Sequence, residues 1–376
     1  MSVQLMLVSD QAAANLLPAL DDALKPSQAV LLVTQKMARR AEHIASVLKE
    51  NGIKTQQVQL ADEHDMVALE QSVLTAATKL DEQQQPIVVN LTGGTKLMAL
   101  AVQSVAQAAG WPAFYLDIDT DAVVWLDKTK PTQKLKQQLR LRHYLGGYGF
   151  TLKDGIERPL PNSSWSILMK DLITNVGSLE EPIGQLNYLS QMADKTLRVK
   201  LTRQQNDSLS LDALLRKFEE NQLLKRQSEE LVFASEDARR FASGGWIEHH
   251  VYQTVSSVTG DLAIRDKAAN LQVTDSSGQP NEMDVAFMAR NRLFVIECKT
   301  AKMNNADDTK ANDTLYKLSE NCRRIGGSGT RGMLATYRPL RESEQRLAKA
   351  LHIEVVSSRE LARLDERLKQ WVRAGR

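Results

Sequence analysis

The first 145 residues alternate unbroken apolar runs with stretches of helical spacing, and few architectures accept that pattern. Residues 3–8 (VQLMLV), 29–34 (AVLLVT) and 86–91 (PIVVNL) read as strands, joined by 55–60, 113–116 and 122–126. Residues 12–24, a stretch ending at 50, 66–80 and 95–109 read as the helices between them. Strands that are apolar at nearly every position are covered on both faces, which parallel sheets achieve with helices above and below. An α/β fold with an N-terminal Rossmann-like parallel sheet is therefore expected.

The run KTKPTQK at 128–134 breaks the alternation and reads as a solvated connector. Residues 160–235 read as mostly helical, with helices over 164–176 and 211–224. Residues 230–234 (ELVFA) admit two readings, the wing of a small winged-helix unit or part of a helical linker. A second α/β pattern starts near residue 242. A chain of 376 residues exceeds one ordinary core, and three regions are expected: 1–145, 146–240 and 241–376.

Composition narrows function by exclusion. No apolar run nears the roughly 18 residues needed to span a bilayer. The N-terminus lacks the basic and long apolar regions of a secretory signal. Cys298 and Cys322 are too few for a disulfide framework and are expected as reduced thiols in the cytoplasm. Net charge is only +2, but residues 241–376 carry 21 basic and 17 acidic side chains. That modest excess is compatible with a phosphate-backbone partner.

Chemistry concentrates in residues 282–299, which read as two strands around a two-residue turn at Arg290-Asn291. In that register paired residue numbers sum to 581, placing Asp284 opposite Glu297 and Glu282 opposite Lys299. Glu297 and Lys299 share a strand face because side chains alternate. The neighbours Val285, Phe287, Phe294, Val295 and Ile296 are apolar, so two facing carboxylates there repel and are costly to desolvate. A divalent cation between them removes that cost, and oxygen-only ligation favours Mg²⁺ or Mn²⁺ over Zn²⁺. The alternative is a buried Asp–Glu–Lys network with a structural role. Upstream, Ser243-Gly244-Gly245 opens a helix on which Glu248 is free to face the sheet and complete a ligand set. His249 and His250 read as surface or core-edge residues.

Asp284, a gap of 12 residues, then Glu297-Cys298-Lys299 resembles the D…(E/D)xK motif of the restriction-endonuclease-like nucleases, with Glu248 matching their upstream helical acid. The resemblance covers about residues 242–360 and implies an α/β/α core. It implies that Asp284, Glu297 and Glu248 hold the metal while Lys299 orients the attacking water or offsets developing charge. Nucleic acid, DNA or RNA, is the substrate so implied.

The N-terminal region carries a second candidate site. Strand 86–91 runs into Thr92-Gly93-Gly94-Thr95-Lys96 and then a helix. Paired glycines let main-chain N–H groups approach an anion, and the helix N-terminus adds partial positive charge. A tight turn with a capping Thr fits the same residues. Neither the P-loop nor the dinucleotide fingerprint spacing is present. Ser9-Asp10-Gln11 and Thr34-Gln35-Lys36 end two other strands and should surround this turn. Together these loops resemble a CARF domain, the CRISPR-associated Rossmann-like sensor of cyclic oligoadenylates. A CARF domain ahead of a restriction-endonuclease-like domain resembles the CARF nucleases of type III CRISPR systems. That resemblance implies a homodimer activated by a cyclic oligoadenylate, often the tetra-adenylate, bound across the CARF interface. The rival readings are a nucleotide-sensing regulator that binds nucleic acid with a vestigial nuclease core, and an ungated DNA-processing nuclease.

Overall fold

The computed structural model describes residues 2–60, 64–81, 85–127, 129–153, 163–300 and 310–374. The N-terminal unit opens with β1 (Val3–Leu7), α1 (Ala13–Leu20), β2 (Gln28–Val33), α2 (Ala38–Glu50) and β3 (Lys54–Gln59). It continues with α3 (Met66–Asp81), β4 (Ile87–Asn90), α4 (Lys96–Ala108), β5 (Ala113–Asp117), β6 (Ala122–Trp125) and β7 (Gln133–Lys134). The sheet order is β3-β2-β1-β4-β5-β6-β7, with the first five strands parallel and the last two antiparallel. The expected doubly covered sheet is what forms: β1 is buried along its whole length, between α1 and α2 on one face and α3 and α4 on the other. Helix α1 ends at Leu20, short of the expected residue 24, and Asp21 there accepts the Ala23, Lys136 and Gln137 amides, so a tertiary tether ends the helix.

The chain then passes through α5 (Leu141–Gly147) and β8 (Thr151–Lys153) into α6 (Ser163–Thr174), α7 (Val176–Met192), β9 (Arg198–Lys200), α8 (Arg203–Asn206), α9 (Leu209–Glu220), β10 (Leu224–Gln227) and β11 (Glu230–Phe233). Strands β9, β10 and β11 make a small antiparallel sheet in the order β10-β11-β9. Helix, strand, two helices and a hairpin folding back on the first strand is the winged-helix arrangement, so residues 230–233 form part of a wing. Strand β8 pairs instead with β12 in the C-terminal sheet.

The C-terminal unit runs α10 (Glu236–Arg240), α11 (Trp246–Ser257), β12 (Ile264–Thr274), β13 (Pro280–Ala289), β14 (Arg292–Lys299), α12 (Lys310–Gly326), β15 (Arg331–Thr336), α13 (Glu342–Ala350), β16 (Ile353–Ser357) and α14 (Leu364–Ala374). Its sheet order is β16-β15-β14-β13-β12-β8, antiparallel from β8 to β14 and parallel from β14 to β16. Two apolar clusters line its two faces. One joins α11 and α14 to the winged-helix unit, with Trp246, Phe287, Phe294 and Tyr337 inside it. The other is continuous with the core of the N-terminal unit through α5, so the two large sheets share buried surface. No helix among the described residues is long and apolar enough to cross a membrane, and both cysteines are buried free thiols.

Candidate functional site

The hairpin that carries the carboxylates has the expected register. Val285 pairs with Ile296 and Ala289 with Arg292 across a two-residue turn. Both turn residues have positive φ, 51° for Arg290 and 56° for Asn291, as a type I′ turn requires. The ladder ends at Val285–Ile296, one rung before the acids. The expected direct pairing of Asp284 with Glu297 is replaced by a hydrogen bond: the Cys298 amide donates to Asp284 Oδ2 at 2.7 Å. Two like charges cannot share a rung cheaply, and the main-chain donor relieves one of them. Glu282 does not pair with Lys299 either; it is exposed and faces Gln272 of β12.

Lys299 sits between the acids. Its Nζ lies 2.5 Å from Glu297 Oε1, and its pKa is raised: burial opposes the charge, but Glu297 and Asp284 together outweigh it. Burial, then the Glu297 charge, push the half-buried Asp284 carboxyl up to about 7. Glu248, in the first turn of α11, is pushed up to about 8 by burial and then by Asp284. Glu248 therefore faces the carboxylate cluster, as its place on the helix suggested. His250 bonds the Leu361 carbonyl at 3.0 Å and His249 packs near Phe241, so both rings are engaged away from the acids.

Gly244, read from the sequence only as part of a helix opening, and two residues not named there, Thr300 and Asn187, hold this geometry. Gly244 adopts φ +124°, and a Cβ there would lie 2.2 Å from the Thr300 hydroxyl. Only glycine lets the entry to α11 press this closely on the end of β14. The Thr300 hydroxyl also bonds the side-chain amide of buried Asn187, on α7, at 3.0 Å. The glycine pair before Glu248 was a visible signal; nothing local marks Asn187 or Thr300.

The donor set fits a hard divalent cation in its chemistry: carboxylate oxygens, two of them on groups pushed up by burial and then by neighbouring negative charge. Among the described residues no three His, Cys, Asp or Glu side chains close into a ready metal cage. Cys298 is buried and its thiol is pushed far up, first by desolvation.

The expected ligand loops meet at the carboxyl edge of the N-terminal sheet, where strand order reverses between β1 and β4. Open α/β sheets bind ligands at that switch point. A Cβ on Gly93 would stand 2.1 Å from the Leu7 carbonyl oxygen and 3.3 Å from Ser9 Oγ, so the glycine turn lies directly against the end of β1. Gly94 has φ +76°. Thr95 caps α4, its hydroxyl accepting the Met98 amide at 3.3 Å. Lys96, Asp10, Gln11, Gln35 and Lys36 are exposed around the crevice, and Thr34 is buried beneath it. Thr92 differs from expectation. Its hydroxyl donates to Asn90 Oδ1 at 2.6 Å and accepts the Leu116 amide at 2.8 Å, which ties β4 to β5.

This edge touches the nuclease hairpin. Asn291 Oδ1 accepts the Leu139 amide at 2.7 Å, and Arg292 ion-pairs with Asp119, just past β5.

A Rossmann-like sensing domain and a restriction-endonuclease-like core that share buried surface define the class as a sensor-coupled nuclease. Residues 3–144 match the Card1 CARF domain and residues 235–375 match the Card1-like endonuclease domain. The chain thus combines a Card1-type CARF domain with a Card1-like endonuclease domain, and it is a nuclease of that kind. It is similar to protein VC1899 from Vibrio cholerae, at 26% identity over 100% of this chain and 98% of that one, with a TM-score of 0.89. Can2 from Sulfobacillus thermosulfidooxidans, solved with cyclic tetra-adenylate, shares the fold at 24% identity over 99% and 97% of the two chains, with a TM-score of 0.80. A type III CRISPR defence DNA nuclease activated by cyclic oligoadenylate also shares it, at 17% identity over 89% of this chain and 45% of the other, with a TM-score of 0.56. No curated protein matches the sequence significantly.

Proposed function

We propose that the protein is a cyclic-oligoadenylate-activated, divalent-metal-dependent nuclease of type III CRISPR defence, with Asp284, Glu297 and Glu248 as its metal-binding acids and Lys299 as its catalytic cation. The observation that carries this reading is the cluster itself, three acids and a lysine held together at the end of β14, with two of the acids driven toward neutrality. Bound Mn²⁺ or Mg²⁺ supplies polarisation of the scissile phosphate and a more acidic bound water. Asp284 and Glu297 hold that charge in place, and Glu248 adds a further oxygen from the helix. Lys299 stands beside Glu297, where it can orient the water or offset charge developing on the phosphoryl oxygens.

The activator reading rests on the CARF match and on Can2, which was solved with cyclic tetra-adenylate. A ring-shaped ligand with internal symmetry suits a two-fold pair of CARF domains. Exposed Leu97 and Leu100, on α4 beside Lys96, offer apolar surface for such a homodimer. Activation requires the ligand to bind the cutting arrangement more tightly than the resting one. The mostly helical segment of 163–233 is one route between the sites; the hairpin end at Asn291 and Arg292 is a shorter one. The test is cleavage of labelled single-stranded and duplex DNA and RNA with Mn²⁺ or Mg²⁺, with and without cyclic tetra-adenylate. Cleavage that depends on both additions is expected; full cleavage without the activator would sink the gating.

A further inference from the structure

Beside the nuclease cluster, on the winged-helix side, runs a groove of about 380 Å³. Its lining includes Gln185, Asn187, Tyr188 and Gln191 of α7, Gln205 of α8, and Arg338 beyond β15. Two tethers place it against the catalytic strand. Asn187 bonds Thr300, the residue after Lys299, at 3.0 Å. Tyr337, next to Arg338, donates its amide to the Lys299 carbonyl at 2.8 Å. Through Asn187 and the neighbour of Arg338 the groove wall is thus bonded to the end of β14.

The chemistry of the lining is selective. Arg338 is fixed against α7, its guanidinium bonding the Glu180 carbonyl at 2.5 Å, with room made by Gly184, where a Cβ would stand 2.4 Å from the guanidinium. Glu181 also lines the groove, so the lining carries one charge of each sign and is no polyanion trough. Gln185 Oε1 and Arg338 Nε are buried yet have no hydrogen-bond partner among the described residues, a costly arrangement that a polar ligand would relieve. Tyr188 is 57% exposed at the groove and Met192, one turn on, is 58% exposed. Amides read base edges, and an exposed ring offers a face on which an unpaired base can stack. Backbone phosphates need cationic density that this groove lacks.

We propose that this groove holds an unpaired base of the nucleic-acid strand next to the scissile phosphate, with Tyr188 as the stacking platform and the α7 glutamines at the base edge. The proposal rests on the nuclease reading above, and it makes the first helix of the winged-helix unit part of the substrate site. A paired base, held in its helix, cannot enter, so the groove acts on single-stranded substrate alone.

The test uses the full chain with Mn²⁺ and cyclic tetra-adenylate, on a labelled single-stranded oligonucleotide and on a duplex of the same sequence. Tyr188→Ala should raise KM for the single strand roughly tenfold, the loss of one stacked base, and change kcat less than twofold. Tyr188→Phe should restore most of the binding, and KM for any duplex cleavage should be unmoved. Anisotropy of the same labelled strand on the Lys299→Ala background, with and without Tyr188→Ala, reads binding apart from chemistry. An unchanged KM and unchanged anisotropy in Tyr188→Ala, with the wild type cutting normally, would overturn the groove and leave the nuclease reading standing. A wild type that cuts no nucleic acid under any condition would overturn both.

Discussion

The two ends of this molecule solve opposite problems with strand termini. At the end of β14 the proposed site is made of side chains: Asp284, Glu297, Lys299 and Glu248 crowd together, half-buried, and Asp284 and Glu248 are pushed up, first by burial and then by neighbouring carboxylates. At the end of β4 the proposed ligand site is built on main chain: Gly93 lets the turn pack against the Leu7 carbonyl, and α4 begins directly after it. A charged cluster in a partly dry setting gains strength from low dielectric but depends on every member. A main-chain cradle survives loss of neighbouring side chains and fails when a Cβ enters it. The difference teaches that truncation should be decisive at one site and graded at the other.

The largest effect sharpens that contrast at the cluster. Asp284→Ala, Glu297→Ala or Lys299→Ala should each lower turnover at least about a hundredfold, with the melting profile of a folded protein retained. Near-normal turnover in Glu297→Ala would break the comparison outright. Next in size, Gly93→Ala should cost about 1–3 kcal/mol of stability, since its Cβ meets main chain that must shift. It should also weaken cyclic tetra-adenylate binding by calorimetry, while Gly260→Ala, with no positive φ and open space around its Cβ, costs less. A cradle that tolerates Gly93→Ala without either change is not main-chain-built.

Lys96→Ala should be milder. Loss of one exposed phosphate contact should raise the half-activating ligand concentration about tenfold without altering the maximal rate, as read in a cleavage titration. A lowered maximal rate at saturation would mean that Lys96 takes part in transmission. The smallest effect is a pH dependence. Asp284 and Glu248 are raised above their ordinary values of 3.8 and 4.5, so the folded chain holds their protons more tightly than the unfolded chain does. Their stabilising contribution is full below about pH 4 and is lost as pH rises through about 7 to 8. In chelator the melting temperature should decline across that window, Glu248→Gln should flatten the decline, and Mn²⁺ should offset it most at the alkaline end. A flat profile in the wild type would contradict the burial-driven shifts.

Much of this was legible in the sequence because it is local. Apolar runs alternating with helical spacing fixed the Rossmann-like unit, and the Arg290-Asn291 turn between alternating strands fixed the hairpin register, hence which acids share an end of the sheet. Such features depend on residues within one or two elements of each other, where covalent geometry leaves few options. What the tertiary structure decided is long-range. Asp284 leaves its rung for the Cys298 amide, Thr92 is drawn into the β4–β5 seam, and Asn187 reaches across 113 positions of sequence to Thr300. Strand β9 was hidden for the same reason, since it is a strand only because β11 returns to pair with it. The shared core between the two large sheets was equally invisible. It joins side chains from segments that the linear pattern assigns to different domains, and only their packing shows that the two units share one buried cluster.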